Sequence, residues 1–307
     1  MTLKQQALQL LAGQRQSWPL VKAGYEALEK IRIKSLTIDG FEVKVQYNPA
    51  RASSSGAAVD PQSIAERPCF LCPTNLPPEQ EALDIYPTYS MLCNPYPIFP
   101  EHFTIPSLMH TKQRIRDTFY DLIKIARQLP GFTLFYNGPR AGASAPDHLH
   151  FQAVTSSYMP LDNDAIAYRD EKPYAGNLYA KAFLLTGYRR GGIVIESTTE
   201  EDCRNLFTHI YNILPLQKDE PEPGMNIYCR YVRRWIVTVI PRRVHRPRQY
   251  YAQGTDHILT SPGAADIGGV FITSREEDYE KITPGIICDI YQQVAFSDAE
   301  IRLMVQA

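Results

Sequence analysis

The stretch that most constrains this chain is Asn137-Gly138-Pro139-Arg140-Ala141-Gly142-Ala143-Ser144-Ala145-Pro146-Asp147, which runs straight into His148-Leu149-His150-Phe151-Gln152. A loop of small residues precedes an alternating segment. In a β-strand successive side chains point to opposite faces, so His148, His150 and Gln152 are expected on one face and Leu149 and Phe151 on the other. Three polar side chains on one face need a ligand, a metal or ordered water to satisfy them. Small loop residues let a ligand approach the backbone. The combination suits the holding of a phosphate ester better than the building of a core.

At 307 residues the chain has room for two domains or one large unit, and 44% hydrophobic content with 19 Tyr is ample for a packed core. The net charge of −1 advertises neither nucleic acid nor a membrane surface. Arg230, Arg233, Arg234, Arg242, Arg243, Arg246 and Arg248 form a basic run, but strand alternation divides it between two faces. No apolar run approaches the roughly 18 residues of a membrane span. The first six residues lack a signal peptide's apolar core. Six Cys without framework spacing read as reduced thiols in a cytoplasmic protein.

Apolar spacing predicts helix over residues 3–31, with Gly13 and Pro19 as its break points. Strands 33–38 and 41–47 follow, joined by Asp39-Gly40, a strong hairpin signal. Residues 52–60 read as a surface loop. Strands are expected at 89–93, 102–106, 132–137 and 148–154, with an amphipathic helix at 113–128. The second half repeats the plan. A Tyr-rich segment spans 165–182, a strand starts at Gly191-Gly192, and a helix covers 199–215. Strands at 225–231 and 234–241, an extended stretch at 256–272 and a helical C-terminus complete it. Ile105-Pro106, with His110 four residues after the proline, is echoed by Ile240-Pro241 and His245. The echo points to an internal duplication. The expected class is α+β: two half-barrel units of mostly antiparallel sheet flanked by helices, over residues 1–160 and 161–307, with the chemistry in the first. In the second unit Ser261–Gly269 stands where the first has its His strand.

His148-Leu149-His150-Phe151-Gln152 resembles the His-x-His-x-Gln motif of the transferase branch of the histidine-triad (HIT) superfamily. That branch includes the galactose-1-phosphate uridylyltransferases, diadenosine tetraphosphate phosphorylases and GDP-L-galactose phosphorylases. Asn94-Pro95-Tyr96-Pro97 and the strand into Ile105-Pro106 fit it as well. The resemblance covers roughly residues 65–155, and 225–285 more loosely. It implies two HIT-like units and ping-pong nucleotidyl transfer, with His150 as nucleophile and Gln152 holding the phosphoryl group. Asn94, Asn137, Arg140 and Ser144 would contact substrate or phosphate, although Ala145 stands where family members carry the small hydroxyl.

The resemblance further implies a structural zinc site. Cys69-x-x-Cys72 has metal-ligand spacing, and His110 and His148 match the remaining ligands of the uridylyltransferase zinc set. A buried pair of thiols with a hydrogen-bonded His148 is the alternative. The substrate implied first is a nucleoside-diphosphate hexose, cleaved by phosphate as in GDP-hexose phosphorolysis. Hexose-1-phosphate uridylyl transfer, dinucleotide polyphosphate phosphorolysis and a non-catalytic nucleotide-binding regulator are the other readings. The partners are thus a nucleoside-diphosphate sugar or dinucleotide and phosphate or a sugar phosphate; a homodimer is allowed for. No organic cofactor is implied. The roles of His102, His245 and His257 stay open.

Overall fold

The computed structural model describes residues 1–51, 61–85, 88–218 and 220–306; the loop expected at 52–60 lies outside them. The N-terminal helical region divides once, into Leu3–Ser17 and Pro19–Leu28. Pro19 cannot continue the first helix and its φ suits the start of the second, so Trp18 turns extended between them. Gly13 breaks nothing, because one Gly costs too little to end a packed helix. Strands β1 (Arg32–Ile38) and β2 (Phe41–Tyr47) pair through Asp39 and Gly40, whose φ values of 47° and 92° are those of a tight primed turn.

The remaining strands are β3 (Ala82–Ile85), β4 (Tyr89–Cys93), β5 (His102–Pro106), β6 (Phe132–Asn137), β7 (His150–Thr155), β8 (Ala175–Gly176), β9 (Ala180–Leu184), β10 (Ile193–Ser197), β11 (Met225–Tyr231), β12 (Trp235–Pro241) and β13 (Val270–Thr273). Ten of them form one sheet in the order β3-β4-β5-β7-β6-β11-β12-β10-β9-β8, antiparallel throughout. The first half contributes β4-β5-β7-β6 and the second β9-β10-β12-β11, joined β6 to β11. Each half is the same four-strand unit, with a helix between its second and third strands: Phe119–Gln128 in one, Glu200–Ile213 in the other. The two helices meet where Phe119 stacks on Phe207, ring centroids 3.8 Å apart. The fold is α+β and duplicated, as the sequence indicated.

Two expectations need correcting. The Ile-Pro echo falls on β5 and β12, the second strand of one unit and the fourth of the other. It therefore does not relate equivalent strands; β12, not residues 261–269, takes the place of β7. The helix expected at 113–128 begins only at Phe119, because Gln113 and Ile115 are drawn into buried tertiary contacts.

Side-chain alternation sorts the core between the two faces of the sheet. Leu134, Tyr136, Phe151 and Ala153 pack toward the helices. Phe135, Val154 and Tyr228 pack on the other face, beneath the small sheet β1-β2-β13 and the helix Pro284–Val294. Gln152 shares the parity of Val154, and a cleft opens on its face. Among the described residues no helix is long and apolar enough to cross a membrane.

Two helical glycines separate conformational freedom from close packing. A Cβ on Gly24 would come 2.2 Å from the Pro95 carbonyl oxygen, whereas one on Gly13 would meet nothing within 4 Å. Gly24→Ala is expected to destabilise by about 1–3 kcal/mol. Gly13→Ala is expected to stabilise by about 0.5–1 kcal/mol. Urea unfolding of the two variants checks this; equal effects would mean that the contact of the second helix with the Asn94-Pro95 turn is loose.

Candidate active site and metal cluster

The geometry starts from where β6 and β7 part. Their ladder runs to the pair Phe135↔Gln152. One step further the amide of buried Gln113 stands between the strands. Its Nε2 donates to the carbonyls of Asn137 (2.9 Å) and His150 (3.0 Å), and its Oε1 accepts from the His150 N–H (2.7 Å). The backbone stays satisfied while the strands open at the foot of the loop. The sequence offered Gln113 only as the last residue of the Ile-Pro echo, matched to Gln249, and gave it no role.

His148 precedes β7 rather than belonging to it, and this corrects the expectation of three side chains on one face. Its ring turns toward the cysteines. His150 and Gln152 line a cleft of about 680 Å³ together with Asn94, Asn137 and Ser144. Arg140 is not among the residues that line it. It pairs with Glu220 at 2.9 Å and borders a separate cavity of about 300 Å³.

Neighbouring contacts fix the hydrogen-bonding state of each polar group. His150 Nδ1 lies 2.8 Å from the His148 carbonyl oxygen, which can only accept. The proton therefore sits on Nδ1, and Nε2 carries the lone pair, with no hydrogen bond to any described residue. Burial first, with the nearby His148, pushes the imidazole down to about 4, so it is neutral at neutral pH. His102 does the same for Gln152. The Ile98 N–H donates to His102 Nδ1 (3.2 Å), so His102 Nε2–H donates to Gln152 Oε1 (2.8 Å). The Gln152 oxygen is thus occupied, and its NH₂ remains as the donor toward the cleft. Burial holds His102 near 3 and so keeps this tautomer uncharged.

Asn137 has a comparable division of labour. Its Oδ1 accepts from the Ala264 N–H (2.7 Å) and from Asn226 Nδ2 (2.9 Å), tying the first half to the second. Only its NH₂ is left to offer a ligand. Asn94 closes its own turn by accepting the Tyr96 N–H at 3.0 Å and donates to Thr104 Oγ1 at 3.3 Å. Ser144 is exposed, and its carbonyl accepts from Arg67 at 3.2 Å. Ala145 packs against Cys69 and Leu71, so the expected hydroxyl position faces an apolar knuckle. Gly142, with φ of 101°, lies so close to Gly263 that a Cβ would fall 2.4 Å from its Cα. Arg51 also lines the cleft and was not anticipated. It donates to the Tyr96 carbonyl at 2.7 Å, while its buried Nε has no partner among the described residues.

Cys69, Cys72, His110 and His148 converge beside this cleft, with their ligand atoms all within 4.8 Å of one another. Cys69 Sγ lies 3.2 Å from His148 Nδ1, and Cys72 Sγ lies 3.1 Å from His110 Nδ1 and 3.6 Å from His148 Nδ1. A tetrahedral ion with bonds of about 2.0–2.3 Å needs ligand–ligand edges of roughly 3.3–3.8 Å, so only small adjustments are required. His148 Nε2 donates to the Ser107 carbonyl at 2.8 Å, which turns the Nδ1 lone pair toward the sulfurs. Asp147 stands 3.9 Å from His110 Nε2 on the far side of that ring. The donor set, the tautomer and the outer partners all fit a metal ion, and the four residues can hold one.

The two-unit antiparallel sheet that carries these groups is a fold shared with solved structures. The crystal structure of yeast Ap4A phosphorylase Apa2 superposes with a TM-score of 0.61 at 16% identity, covering 91% of this chain and 96% of that one. Its complex with AMP gives 0.60 at 16% identity over 97% and 98%, and its complex with Ap4A 0.59 at 16% identity over 92% and 97%. A family described as a domain of unknown function (DUF4922) matches residues 10–155. No curated protein matches the sequence.

The buried neutral His102 has a consequence for acid stability. The unfolded chain protonates this ring below about pH 6.5, while the folded chain resists until near 3. The stabilisation is complete above pH 6.5 and is lost as pH falls toward 3. His102→Gln removes this dependence. The advantage of wild type over the variant in unfolding free energy should shrink by about 1–2 kcal/mol between pH 7 and pH 5. Urea melts at the two pH values measure it; a constant difference would mean that His102 is charged or exposed.

Proposed function

We propose that this protein transfers a nucleotidyl group from an oligophosphate-bearing nucleotide to phosphate through a covalent intermediate on His150. The observation that carries the reading is the lone pair of His150 Nε2, in the cleft with the donor amide of Gln152 and without a hydrogen-bond partner among the described residues. Nε2 attacks the α-phosphorus, a P–N bond forms, and the bond to the bridging oxygen of the leaving group breaks. The positive charge gained by the ring is met at Nδ1–H by the His148 carbonyl. Gln152 and Asn137 offer NH₂ donors to the non-bridging oxygens. Neither can protonate a leaving group, which favours departing phosphates that are already good leaving groups. Attack by phosphate on the same phosphorus then breaks the P–N bond and restores the neutral imidazole.

A dinucleoside polyphosphate is the substrate class favoured by the shape of the whole chain, since the fold shared along nearly its full length is that of a structure determined with Ap4A. A nucleoside-diphosphate hexose is the second reading, favoured by the resemblance of His148-Leu149-His150-Phe151-Gln152 to the motif of a branch that includes the GDP-L-galactose phosphorylases. We assign zinc to the Cys69, Cys72, His110 and His148 cluster, where it would clamp the segment whose carbonyl orients His150.

Incubation with α-labelled Ap4A, GDP-glucose and UDP-glucose, followed by denaturation, should leave label on wild type for one donor and none on His150→Gly. Label retained by the variant, or absent from wild type with every donor, would sink the intermediate. Protein purified without added metal should carry about one zinc per chain, and Cys69→Ala should lose it together with several degrees of thermal stability. Substoichiometric zinc in both would remove the metal assignment.

A further inference from the structure

The rung that β6 and β7 lack is supplied by a side chain from another segment. The ladder between the two strands ends at Phe135↔Gln152. Beyond it, residues 111–115 take over as the neighbour of residues 146–150. The Leu149 N–H donates to the Thr111 carbonyl at 2.6 Å, and the Gln113 N–H to the Pro146 carbonyl at 3.2 Å. Gln113, fully buried, turns its amide into the gap. Its partners allow one orientation, because two carbonyls can only accept and an N–H can only donate. One Nε2 hydrogen goes to the Asn137 carbonyl and the other to that of His150, while Oε1 takes the His150 N–H.

The segment that carries this amide is itself anchored. The Ile115 N–H donates to Glu222 Oε2 at 2.8 Å, and Oε1 of that buried carboxyl accepts from the Tyr136 hydroxyl. Tyr136 precedes Asn137 on β6. A carboxyl from the second half therefore holds both the segment and the strand it is wedged against. Without the amide, two carbonyls and an N–H would be stranded away from water, or the two backbones would have to close on each other to satisfy them. Either response moves Asn137 and His150, and both residues line the cleft.

We propose that Gln113 is a positioning residue: the spacer that sets the gap between the Asn137 amide and His150 and keeps the His150 ring against the His148 carbonyl. Its effect on turnover rests on the reading of His150 as nucleophile; its effect on the ring does not. The spacer works through the backbone, since it binds neither the imidazole nor the Asn137 side chain. Freed from the His148 carbonyl, the ring would have no reason to keep its proton on Nδ1, and the lone pair would leave Nε2.

Nitrogen-15 NMR of protein labelled in its histidine rings reads the spacer without turnover. The His150 signal is the one missing from His150→Gly. Wild type should show it as a single neutral tautomer with the proton on Nδ1. Gln113→Met, similar in length but without donors or acceptor, should shift it toward the Nε2–H tautomer, while His102 stays as it is. Gln113→Glu, which keeps the acceptor for the His150 N–H, should shift it less and carries the test should Gln113→Met fold poorly. Leu122→Ala, buried on the helix-covered face, loses stability without touching the spacer and should leave both rings as in wild type. In the trapping experiment Gln113→Met should take up label at least about tenfold more slowly at saturating donor, with affinity for the matching nucleoside monophosphate within about twofold of wild type. The same His150 tautomer in wild type and both Gln113 variants, or the same change in Leu122→Ala, would overturn the proposal. Failure to trap label on wild type would end the His150 reading, and the tautomer comparison would still decide the role of Gln113.

Discussion

The hydrogen bond from His150 Nδ1 to the carbonyl of His148 decides what this site can do. A ring with its proton on Nε2 would present a donor to the cleft, not a nucleophile. The acceptor is a backbone oxygen two residues away, and its position depends on the His148 side chain. That side chain is held from both ends, by the Ser107 carbonyl at Nε2 and by the sulfurs at Nδ1. One residue thus couples the Cys₂His₂ cluster to the nitrogen proposed as nucleophile, with its side chain serving the first and its backbone the second. A histidine outside the strand performs this role better than one inside it, because a strand residue would commit its carbonyl to the ladder.

Burial is the second constraint. His102, Gln113, Asn137 and His150 are all nearly inaccessible, and each would destabilise the fold if left without partners. The network satisfies His102 and Gln113 at both ends, and uses one end of Asn137, His150 and Gln152 while leaving the other toward the cleft. Gln152 keeps its oxygen on His102, and Asn137 keeps its oxygen on Ala264 and Asn226. What remains toward the cleft is a set of donors around a lone pair. Such an environment has little to offer a cation and much to offer a phosphoryl group.

Much of this was legible in the sequence, and the limits follow a pattern. The hairpin at Asp39-Gly40, the strands and the Cys69-x-x-Cys72 spacing are local, whereas His110 and His148, 38 and 76 residues from Cys72, were joined to the cysteines only by the family resemblance. Alternation placed His150 and Gln152 together, because β7 is regular there. It failed for His148, where the strand had not yet begun, and the loop residue Arg140, expected at the phosphates, pairs with Glu220 instead. Gln113, His102 and Arg51 act through partners 37, 50 and 45 residues away. No local pattern encodes such contacts. The Ile-Pro echo pointed to a duplication that exists but matched strands that are not equivalent.

The true equivalence shows how the duplicated fold repeats the sheet without repeating His150 and Gln152. The ladder between β6 and β11 is centred on Phe135↔Tyr228. Counting outward from that pair, β12 places Thr238 opposite Tyr228 as β7 places Gln152 opposite Phe135. Two residues before Gln152 stands His150; two before Thr238 stands Ile236, buried in the apolar core. Arg230 takes the place of Asn137 and is drawn to the carbonyl of Asp162. The second unit has therefore closed its own site with apolar packing and a covering helix, Leu161–Ala167. From the second half, His245, Arg246, Ser261 and the segment 263–266 line the cleft of His150. Asn137, fixed by Asn226 and Ala264 from the second half, is the point at which the closed unit and the open one meet.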